Sequence, residues 1–307
     1  MHKKAITFLH HHQINKEKWD QGVSSAFNTL PYAESWYLDI VSPNWGALVG
    51  GDYEQLMPLP IKQKYGIPYL IQPLFVQQLG IFSRSLLDST TVEAFLDTIP
   101  KKYVYINLNL NSHNQSKKFS RFHLNHELDL VDPIEHLRTH YSTNLKRNLK
   151  KAKKAQLSLM KNLKPEAIVN LFREDRGREI DGWKEAEYRL LLRLLYSGIH
   201  KNRIDTYGAF STENELITAA VFLKSQVSRI FLFSGNSKKG KEQGGMPFLL
   251  DQYIAHHTES NLTLDFEGSN DKNLARFYRS FGSTSVRYPS WQKTICPFLL
   301  DKLLFRT

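Results

Sequence analysis

The sequence predicts an α/β protein built from two similar units, each a mixed β-sheet flanked by helices. Three observations support this prediction. The 307 residues are 41% hydrophobic and 23% charged, which is typical of globular chains. Helix-like and strand-like segments alternate along the chain. Their order in the first half returns in the second half, which is the pattern of an internal duplication.

Each element follows from its local pattern. Gly50, Gly51 and Asp52 form a hairpin signal between two strand-like runs, and Pro73 interrupts a later run. In the first half we predict helices over 34–41 and 91–99 and strands over 45–49, 55–61, 69–72, 75–82 and 103–110. In the second half we predict helices over 165–173, 184–197, 246–257 and 271–281 and strands over 204–210, 216–224, 229–234, 262–267 and 286–291.

The two halves correspond at a nearly constant spacing, although the helices that end near Val41 and Ser197 are 156 residues apart. Leu48 in the first hairpin corresponds to Gly208, and Val104 corresponds to Leu264, in both cases 160 residues later. Chance recurrence of similar elements is the alternative to duplication. We place an N-terminal domain at residues 1–140, a basic junction helix at 141–160 and a C-terminal domain at 161–307.

Several classes of protein and site are excluded. The chain has no run of about 18 apolar residues, and its first residues lack the apolar run of a secretory signal. The single cysteine, Cys296, excludes a disulfide framework and a multi-cysteine zinc site. The histidines at 10–12 and 256–257 are adjacent and cannot face one ion together, so we predict no metal site. A cytoplasmic location is the resulting expectation.

The positive charge is concentrated in one segment. The formal net charge is +11, and residues 143–164 carry eight basic and no acidic residues, which leaves +3 for the rest of the chain. Leu145, Leu149 and Ala152 recur at helical spacing. The cationic surface of this predicted helix consists of Lys146, Arg147, Lys150, Lys151, Lys153 and Lys154. Two interpretations stay open: a solvated helix face, or capture of a polyanion such as tRNA or an anionic lipid surface.

The most specific stretch is residues 262–282, LTLDFEGSNDKNLARFYRSFG. Alternation places Asp265 and Glu267 on one face at the carboxyl end of a strand. Gly268 then turns the chain into a helix. The broad apolar and aromatic face of that helix is formed by Leu274, Phe277, Tyr278 and Phe281.

This segment resembles the last strand and helix of the GCN5-related N-acyltransferase (GNAT) superfamily. In that superfamily a tyrosine four residues before a glycine lies near the thioester sulfur, and Tyr278 and Gly282 have this spacing. The whole chain resembles the Fem-type branch, in which two such domains are fused. Its D-F-x-G-S strand is matched from Asp265 to Ser269, and its basic domain-opening helix resembles residues 142–154. The resemblance implies two tandem GNAT-like acyltransferase domains.

The phosphate-binding loop departs from the superfamily pattern. Acyl-CoA binders carry Q/R-x-x-G-x-G/A, whose backbone amides hold the pyrophosphate. The matching residues here, 235–245, are rich in glycine and lysine but lack that spacing. They predict either a phosphate site or a flexible connection. The predicted donor contacts are Lys238, Lys239, Gly240, Lys241, Gly244 and Gly245.

The resemblance implies transfer of an acyl or aminoacyl group from acyl-CoA or aminoacyl-tRNA to an amine acceptor, without a tightly bound cofactor. Such a reaction needs a deprotonated nucleophile, a polarised carbonyl and a protonated leaving group. We predict that Glu267 or Asp265 deprotonates the amine and that Tyr278 protonates the leaving group. The alternatives are ion pairing for the carboxylates and core packing for Tyr278. A non-catalytic protein of the same fold that binds RNA or an anionic surface is the competing function.

Overall fold

The computed structural model describes residues 5–174 and 183–294, which form two compact units. The first unit contains the chain up to His123 together with the segment from Arg287, and the second contains Leu124–Val286. These limits differ from the predicted domain ranges. Residues 124–160 lie in the second unit. Residues 287–294 lie in the first, where residues 290–294 pair with the strand at 105–109.

The elements up to residue 109 all belong to the first unit. Its strands here are β1 (Ile6–Leu9), β2 (Gly46–Gly50), β3 (Gln55–Leu59), β4 (Ile61–Lys64), β5 (Ile67–Ile71), β6 (Phe82–Ser83) and β7 (Tyr105–Asn109). Its helices are α1 (Lys16–Ser24), α2 (Ser35–Val41) and α3 (Ser89–Thr98), with 3₁₀ turns at His11–Gln13 and Pro31–Ala33.

The rest of the chain alternates helices and strands in the same way. The strands are β8 (Arg121–Asp129), β9 (Ser158–Lys161), β10 (Ile204–Phe210), β11 (Leu216–Lys224), β12 (Ser228–Asn236), β13 (Thr263–Asp265) and β14 (Thr284–Thr294). The helices are α4 (Ile134–Thr139), α5 (Thr143–Lys154), α6 (Pro165–Glu174), α7 (Glu185–His200), α8 (Lys238–Gln243), α9 (Gly245–Ala255) and α10 (Lys272–Arg279).

The first unit contains a four-stranded antiparallel sheet of order β1-β2-β3-β6. Its other strands lie side by side in the order β4-β5-β7-β14, and β5 and β7 are parallel. Strands β2 and β3 form the predicted hairpin, whose turn contains Gly51 at a φ of 65°. The core of this unit includes Leu48, Phe95 and Leu108, which are almost completely buried.

The second unit has the strand order β8-β13-β12-β11-β10-β9. Only β12 and β13 are parallel among the pairs within it. Helix α9 contributes Leu249, Leu250 and Tyr253 to the core of this unit, while α6 packs on β12 through a Phe172–Phe233 ring contact at 4.4 Å. This apolar burial is what anchors both helices to the sheet.

The two units repeat one arrangement. Each contains an antiparallel hairpin, β2/β3 or β10/β11, and a parallel pair, β5/β7 or β12/β13. A helix, α3 or α9, lies between the two parallel strands in the sequence. The predicted mixed α/β fold class is confirmed.

Several local predictions were wrong, including the strand predicted over 75–82, where only Phe82 belongs to a strand. The loop predicted over 235–245 contains the end of β12 and the helix α8. Strand β13 ends at Asp265, and Glu267 lies in a turn at a φ of 53°, so the two carboxylates do not leave one face of a strand. Strand β8 was not predicted, because its sequence RFHLNHELD mixes charged and polar residues without a clear apolar face.

No helix among the described residues has the length and apolar character needed to cross a membrane. In the same part of the chain no three His, Cys, Asp or Glu side chains are grouped as metal ligands. Cys296 lies outside the described residues.

Candidate functional site

A cleft opens in the second unit where two parallel strands separate. Strands β12 and β13 pair from Ser228 opposite Thr263 to Ile230 opposite Asp265. Strand β12 then continues to Asn236, whereas the chain after Asp265 turns away. The turn is produced by Glu267 and Gly268, both in the left-handed region at φ values of 53° and 55°. Phe231, Ser234 and Asn236 of β12 line the gap between the strands.

A β-bulge shapes the exposed part of β12. Phe222 of β11 pairs with Phe231, and Val221 pairs with Phe233, so Leu232 is an extra residue on β12. The bulge shifts the alternation of side chains along the strand. As a result Phe231 and Ser234, three positions apart, both line the cleft.

The cleft has a volume of about 290 Å³ and is lined by both apolar and polar residues. It is bounded by β12, by the start of α9, by α10 and by one residue of α5. Its lining consists of Asn148, Phe231, Ser234, Asn236, Lys241, Gly244, Met246, Pro247, Leu274, Phe277 and Tyr278.

Tyr278 lies in the cleft wall, where the sequence predicted a proton donor. Asp271 caps α10 by accepting hydrogen bonds from the backbone N–H groups of Asn273 and Leu274, which fixes the start of this helix. One turn later the Tyr278 ring stacks on Phe266 at 5.0 Å and is 5% exposed. The Tyr278 side chain therefore packs in the core of the second unit and also forms part of the cleft surface.

Asp265 and Glu267 do not line the cleft. The Asp265 carboxylate accepts a hydrogen bond of 2.8 Å from the Glu267 N–H and so holds the turn. Burial raises the pKa of Asp265 to about 6 and raises the pKa of Glu267 well above its ordinary value. Among the described residues, Glu267 Oε1 is buried without a hydrogen-bond partner. Catalysis by these two carboxylates stays a prediction.

Half-buried Glu127 and buried Asp265 form a carboxyl pair that the sequence did not reveal. Glu127 lies directly across from Asp265 on β8 and accepts a 3.3 Å hydrogen bond from Asn125 Nδ2. Burial, followed by the charge of Asp265, raises the pKa of Glu127 from 4.5 to about 7. Only the pairing of β8 with β13 brings the two groups together, so no local sequence signal could have identified the pair.

Replacing Glu127 with glutamine is expected to stabilise the protein above neutral pH. The raised pKa means that the folded state favours the neutral carboxyl, so stability is lost as the pH rises from about 4.5 to about 7. Glutamine keeps the acceptor for Asn125 but cannot ionise. Allowing for partial exposure, we expect the free energy of unfolding to rise by about 1–3 kcal/mol at about pH 8 and to change little at about pH 4.

Urea denaturation at both pH values measures this effect. Glu135→Gln is the control for loss of an exposed carboxylate, because Glu135 lies exposed on α4 and its replacement should change the stability much less than Glu127→Gln does. A Glu127→Gln protein that is no more stable than the parent at about pH 8 would contradict the cause assigned to the raised pKa.

The glycines of 235–245 are required by close packing. A Cβ on Gly240 would lie 2.3 Å from the carbonyl oxygen of Ile217, and one on Gly245 would lie 2.1 Å from Thr218 Oγ1. Gly244 has a φ of 76° and approaches the carbonyl oxygen of Asn148 on α5. These contacts seat α8 and the start of α9 against β11 and α5.

The predicted donor contacts are divided between two surfaces. Lys241 and Gly244 line the cleft, whereas Lys238 and Lys241 line a neighbouring groove with Leu171, Glu174 and Ser237. Lys239 is held by Glu213 and Glu215 at 2.8 and 2.9 Å. Pro247 removes one N–H from the first turn of α9, so the backbone donors at this helix end are fewer than in a typical helix N-terminus.

The basic helix α5 is present as predicted and presents its charges to solvent. Leu145 and Ala152 are buried, and Leu149 packs on the core that contains α9. The six predicted cations, Lys146, Arg147, Lys150, Lys151, Lys153 and Lys154, are all exposed. Within the described parts of the chain none of them forms an ion pair.

A second groove adjoins the cleft at Phe277. Arg276 and Arg279 line it, and among the described residues no acidic side chain does. Its remaining lining is Ser142, Asn144, Asn273 and Ser280. The groove therefore adds two positive charges beside the cleft, on the side that α5 also borders.

The corresponding gap in the first unit is closed. Beyond the paired part of β5 and β7, the backbone of Gln72 donates to Asn107, and the Gln72 side chain accepts from the Asn109 N–H at 3.1 Å. Asn109 Nδ2 donates to the carbonyl of Gln77, and the Leu79 N–H donates to the carbonyl of Asn109. The 72–79 segment thus fills the space that stays open in the second unit.

No protein-family model matches this sequence, and no curated protein is similar enough in sequence to match it. Solved structures do match the fold. The chain is similar to FemX at 11% identity and a TM-score of 0.65, over 97% of this chain and 99% of that one. It is also similar to L-PGS from Bacillus licheniformis at 13% identity and a TM-score of 0.52, over 95% and 97% of the two chains.

A third similar structure is the C-terminal domain of a protein from Agrobacterium fabrum to which lysylphosphatidylglycerol synthesis is provisionally ascribed. It matches at 9% identity and a TM-score of 0.54, over 90% of each chain. At these identities the likeness concerns the fold, which is shared over nearly the whole length.

Proposed function

Because the chain has the Fem-like fold of the GNAT superfamily, we propose that it transfers an acyl or aminoacyl group to an amine. The donor is an acyl-CoA or an aminoacyl-tRNA, bound in the cleft between β12 and β13. The observation that carries the proposal is this cleft, with Tyr278 in its wall. The closed gap between β5 and β7 in the first unit supports placing the donor in the second unit.

The cleft lining offers a proton donor and hydrogen-bond donors for such a transfer. The neutral amine attacks the donor carbonyl, a C–N bond forms, and the bond from the carbonyl carbon to sulfur or to the ribose oxygen breaks. The Tyr278 hydroxyl gives a proton to that leaving group, and the amine releases its own proton to water. The hydrogen-bond donors of Asn148 and Ser234, in the cleft lining, are available to the carbonyl oxygen as negative charge develops on it.

A donor that binds the cleft is expected to stabilise the folded protein. At 100 times its Kd a ligand adds about 2.7 kcal/mol, which raises Tm by several degrees for a protein of this size. We expect this shift with acetyl-CoA or alanyl-tRNA, measured by differential scanning fluorimetry. Free coenzyme A and deacylated tRNA are the controls, and the absence of a shift with both donors would contradict the proposal.

The cations of α5 favour a second candidate function, the binding of RNA or an anionic surface without catalysis. Six exposed positive charges on one helix, beside the two arginines of the adjoining groove, form a strongly cationic surface. Equal stabilisation by charged and deacylated tRNA, a steep salt dependence and no acyl transfer would favour this candidate over the transferase.

A further inference from the structure

The groove beside the cleft is lined by two arginines of one helix. It has a volume of about 710 Å³. Arg276 and Arg279 lie three residues apart on α10, so their side chains are neighbours on the helix surface. Like charges at this spacing repel each other. An anion that both guanidinium groups contact would replace this repulsion with attraction.

The neutral groups of the groove add hydrogen-bond donors to the two charges. Ser142 Oγ accepts a hydrogen bond of 3.2 Å from the Leu145 N–H, and its own hydroxyl proton can be donated to a ligand. The amides of Asn144 and Asn273 line the same groove. Ser142 and Asn144 belong to the start of α5, where the partial positive charge of the helix end also favours an anion.

This set of groups fits a phosphate. The planar fork of a guanidinium matches two oxygens of a phosphate group. Two guanidinium charges also balance a phosphate monoester, whose charge is about −1.5 to −2 near neutral pH. A single carboxylate would neutralise only one of the two arginines.

The groove opens directly onto the cleft. Phe277 lines both of them. On α5, Asn144 lines the groove and Asn148 lines the cleft, and four residues correspond to about 6 Å along a helix axis. A short alkyl chain between a phosphate ester and an amine spans a similar distance. A phosphate in the groove would therefore bring such an amine to the cleft, where Tyr278 lies.

We propose that the groove binds the phosphate of the acceptor and that the acceptor is an aminoalkyl phosphate, either a free ester or the headgroup of a phospholipid. This inference rests on the proposed acyltransferase function, because it names the acceptor of that reaction. The amine nitrogen forms the new C–N bond as the bond from the carbonyl carbon to sulfur or ribose oxygen breaks. The phosphate is bound by Arg276 and Arg279 and exchanges no bond.

The test compares amines that differ only by the phosphate. The probes are O-phosphoethanolamine and ethanolamine, titrated into the full chain without a donor and followed by isothermal titration calorimetry. We expect O-phosphoethanolamine to bind at least about 30-fold more tightly, as for a ligand with several charge-assisted hydrogen bonds. With acetyl-CoA or alanyl-tRNA present, its KM for acyl transfer should be lower than that of ethanolamine by a similar factor.

A lipid arm distinguishes the two sources of the phosphate. Transfer of a labelled acyl group to vesicles of phosphatidylethanolamine is measured beside transfer to O-phosphoethanolamine. Vesicles of phosphatidylcholine are the control, because their headgroup has the same phosphate but no nitrogen that can be acylated. Transfer to the vesicles alone identifies the headgroup as the acceptor, and transfer to the soluble probe alone identifies a free ester.

Matched variants link the effect to the two arginines. Arg276→Gln and Arg279→Gln should each raise the Kd of O-phosphoethanolamine about 5- to 10-fold and leave the Kd of ethanolamine unchanged. Arg193→Gln is the control, because Arg193 is an exposed arginine on α7 outside the groove lining. Arg276→Lys keeps the charge and should retain more affinity than Arg276→Gln. If Arg279→Gln lowers Tm through its lost bond to the Ala275 carbonyl, Arg276→Gln still provides the test.

The outcomes separate this inference from the function on which it rests. Equal affinity for the two soluble amines, or an unchanged Kd in both glutamine variants, overturns the inference, and acyl transfer to ethanolamine would then leave the transferase proposal in place. Arginine-dependent binding of O-phosphoethanolamine without transfer to any phosphate-bearing amine contradicts the acceptor role. If the glutamine variants weaken the binding of deacylated tRNA but not that of O-phosphoethanolamine, the arginines belong to a surface for RNA and the inference is overturned.

Discussion

Replacing Tyr278 with phenylalanine is expected to lower kcat about 100-fold or more while leaving KM and Tm nearly unchanged. A positioned proton donor contributes about 10²- to 10⁴-fold to the rate of such a step. The ring packs on Phe266 and Phe231 and is 5% exposed, so phenylalanine can keep these contacts. Steady-state acyl transfer with the preferred donor, together with the Tm of both proteins, measures the effect.

The reactivity of the leaving group tests the chemical role of Tyr278 separately from packing. An aryl thioester needs little protonation of its sulfur as the carbon–sulfur bond breaks. The fall in kcat caused by Tyr278→Phe should therefore be smaller with an aryl thioester donor. Tyr196→Phe is the matched control, because Tyr196 is an exposed tyrosine on α7 whose hydroxyl donates to Glu166. Full activity of Tyr278→Phe with an ordinary thioester would remove Tyr278 from the chemistry.

Sequence patterns were sufficient to predict those elements whose buried face is determined by residues near each other in the sequence. The spacing of Tyr278 and Gly282 and the D-F-x-G-S run identified the strand, the turn and the helix that bound one side of the cleft. The apolar stripe of Leu145, Leu149 and Ala152 likewise predicted α5 with its exposed cations. In each case local periodicity determines which side chains are buried.

Contacts between distant segments could not be predicted in the same way. The extra residue Leu232 becomes a bulge only through the register of β11 against β12. Asn148 reaches the cleft because α5 packs on the start of α9, where Gly244 touches its carbonyl oxygen. The glycine-rich segment indicated a phosphate loop, yet tertiary packing around Gly240 and Gly245 accounts for its small residues.

The difference between the two units is also a long-range effect. The run 72–79, with its glutamines, offered no sequence signal for closing the gap between β5 and β7. Closure depends on two hydrogen bonds. The Gln72 side chain accepts one from the Asn109 N–H, and the Asn109 side chain donates one to the carbonyl of Gln77. A duplicated fold therefore does not imply a duplicated site.

Replacing Phe266 with alanine is expected to lower the free energy of unfolding by about 3–5 kcal/mol, as for other fully buried phenylalanines. Phe266 is 0% exposed, and its ring lies 5.0 Å from that of Tyr278 on α10 and 5.7 Å from that of Phe281, just after the helix. Its removal leaves a cavity between β13 and α10. Urea denaturation followed by circular dichroism measures the loss.

Two further variants separate stability from the support of Tyr278. Phe266→Leu keeps most of the apolar volume, so we expect a stability loss under about 1.5 kcal/mol but a clear fall in kcat, since the flat ring beneath Tyr278 is gone. Phe277→Ala is the control for aromatic loss on the same helix. It is only partly buried and should lose less than half as much stability as Phe266→Ala. Stability of Phe266→Ala within about 1 kcal/mol of the parent would show that the stack does not hold α10 in place.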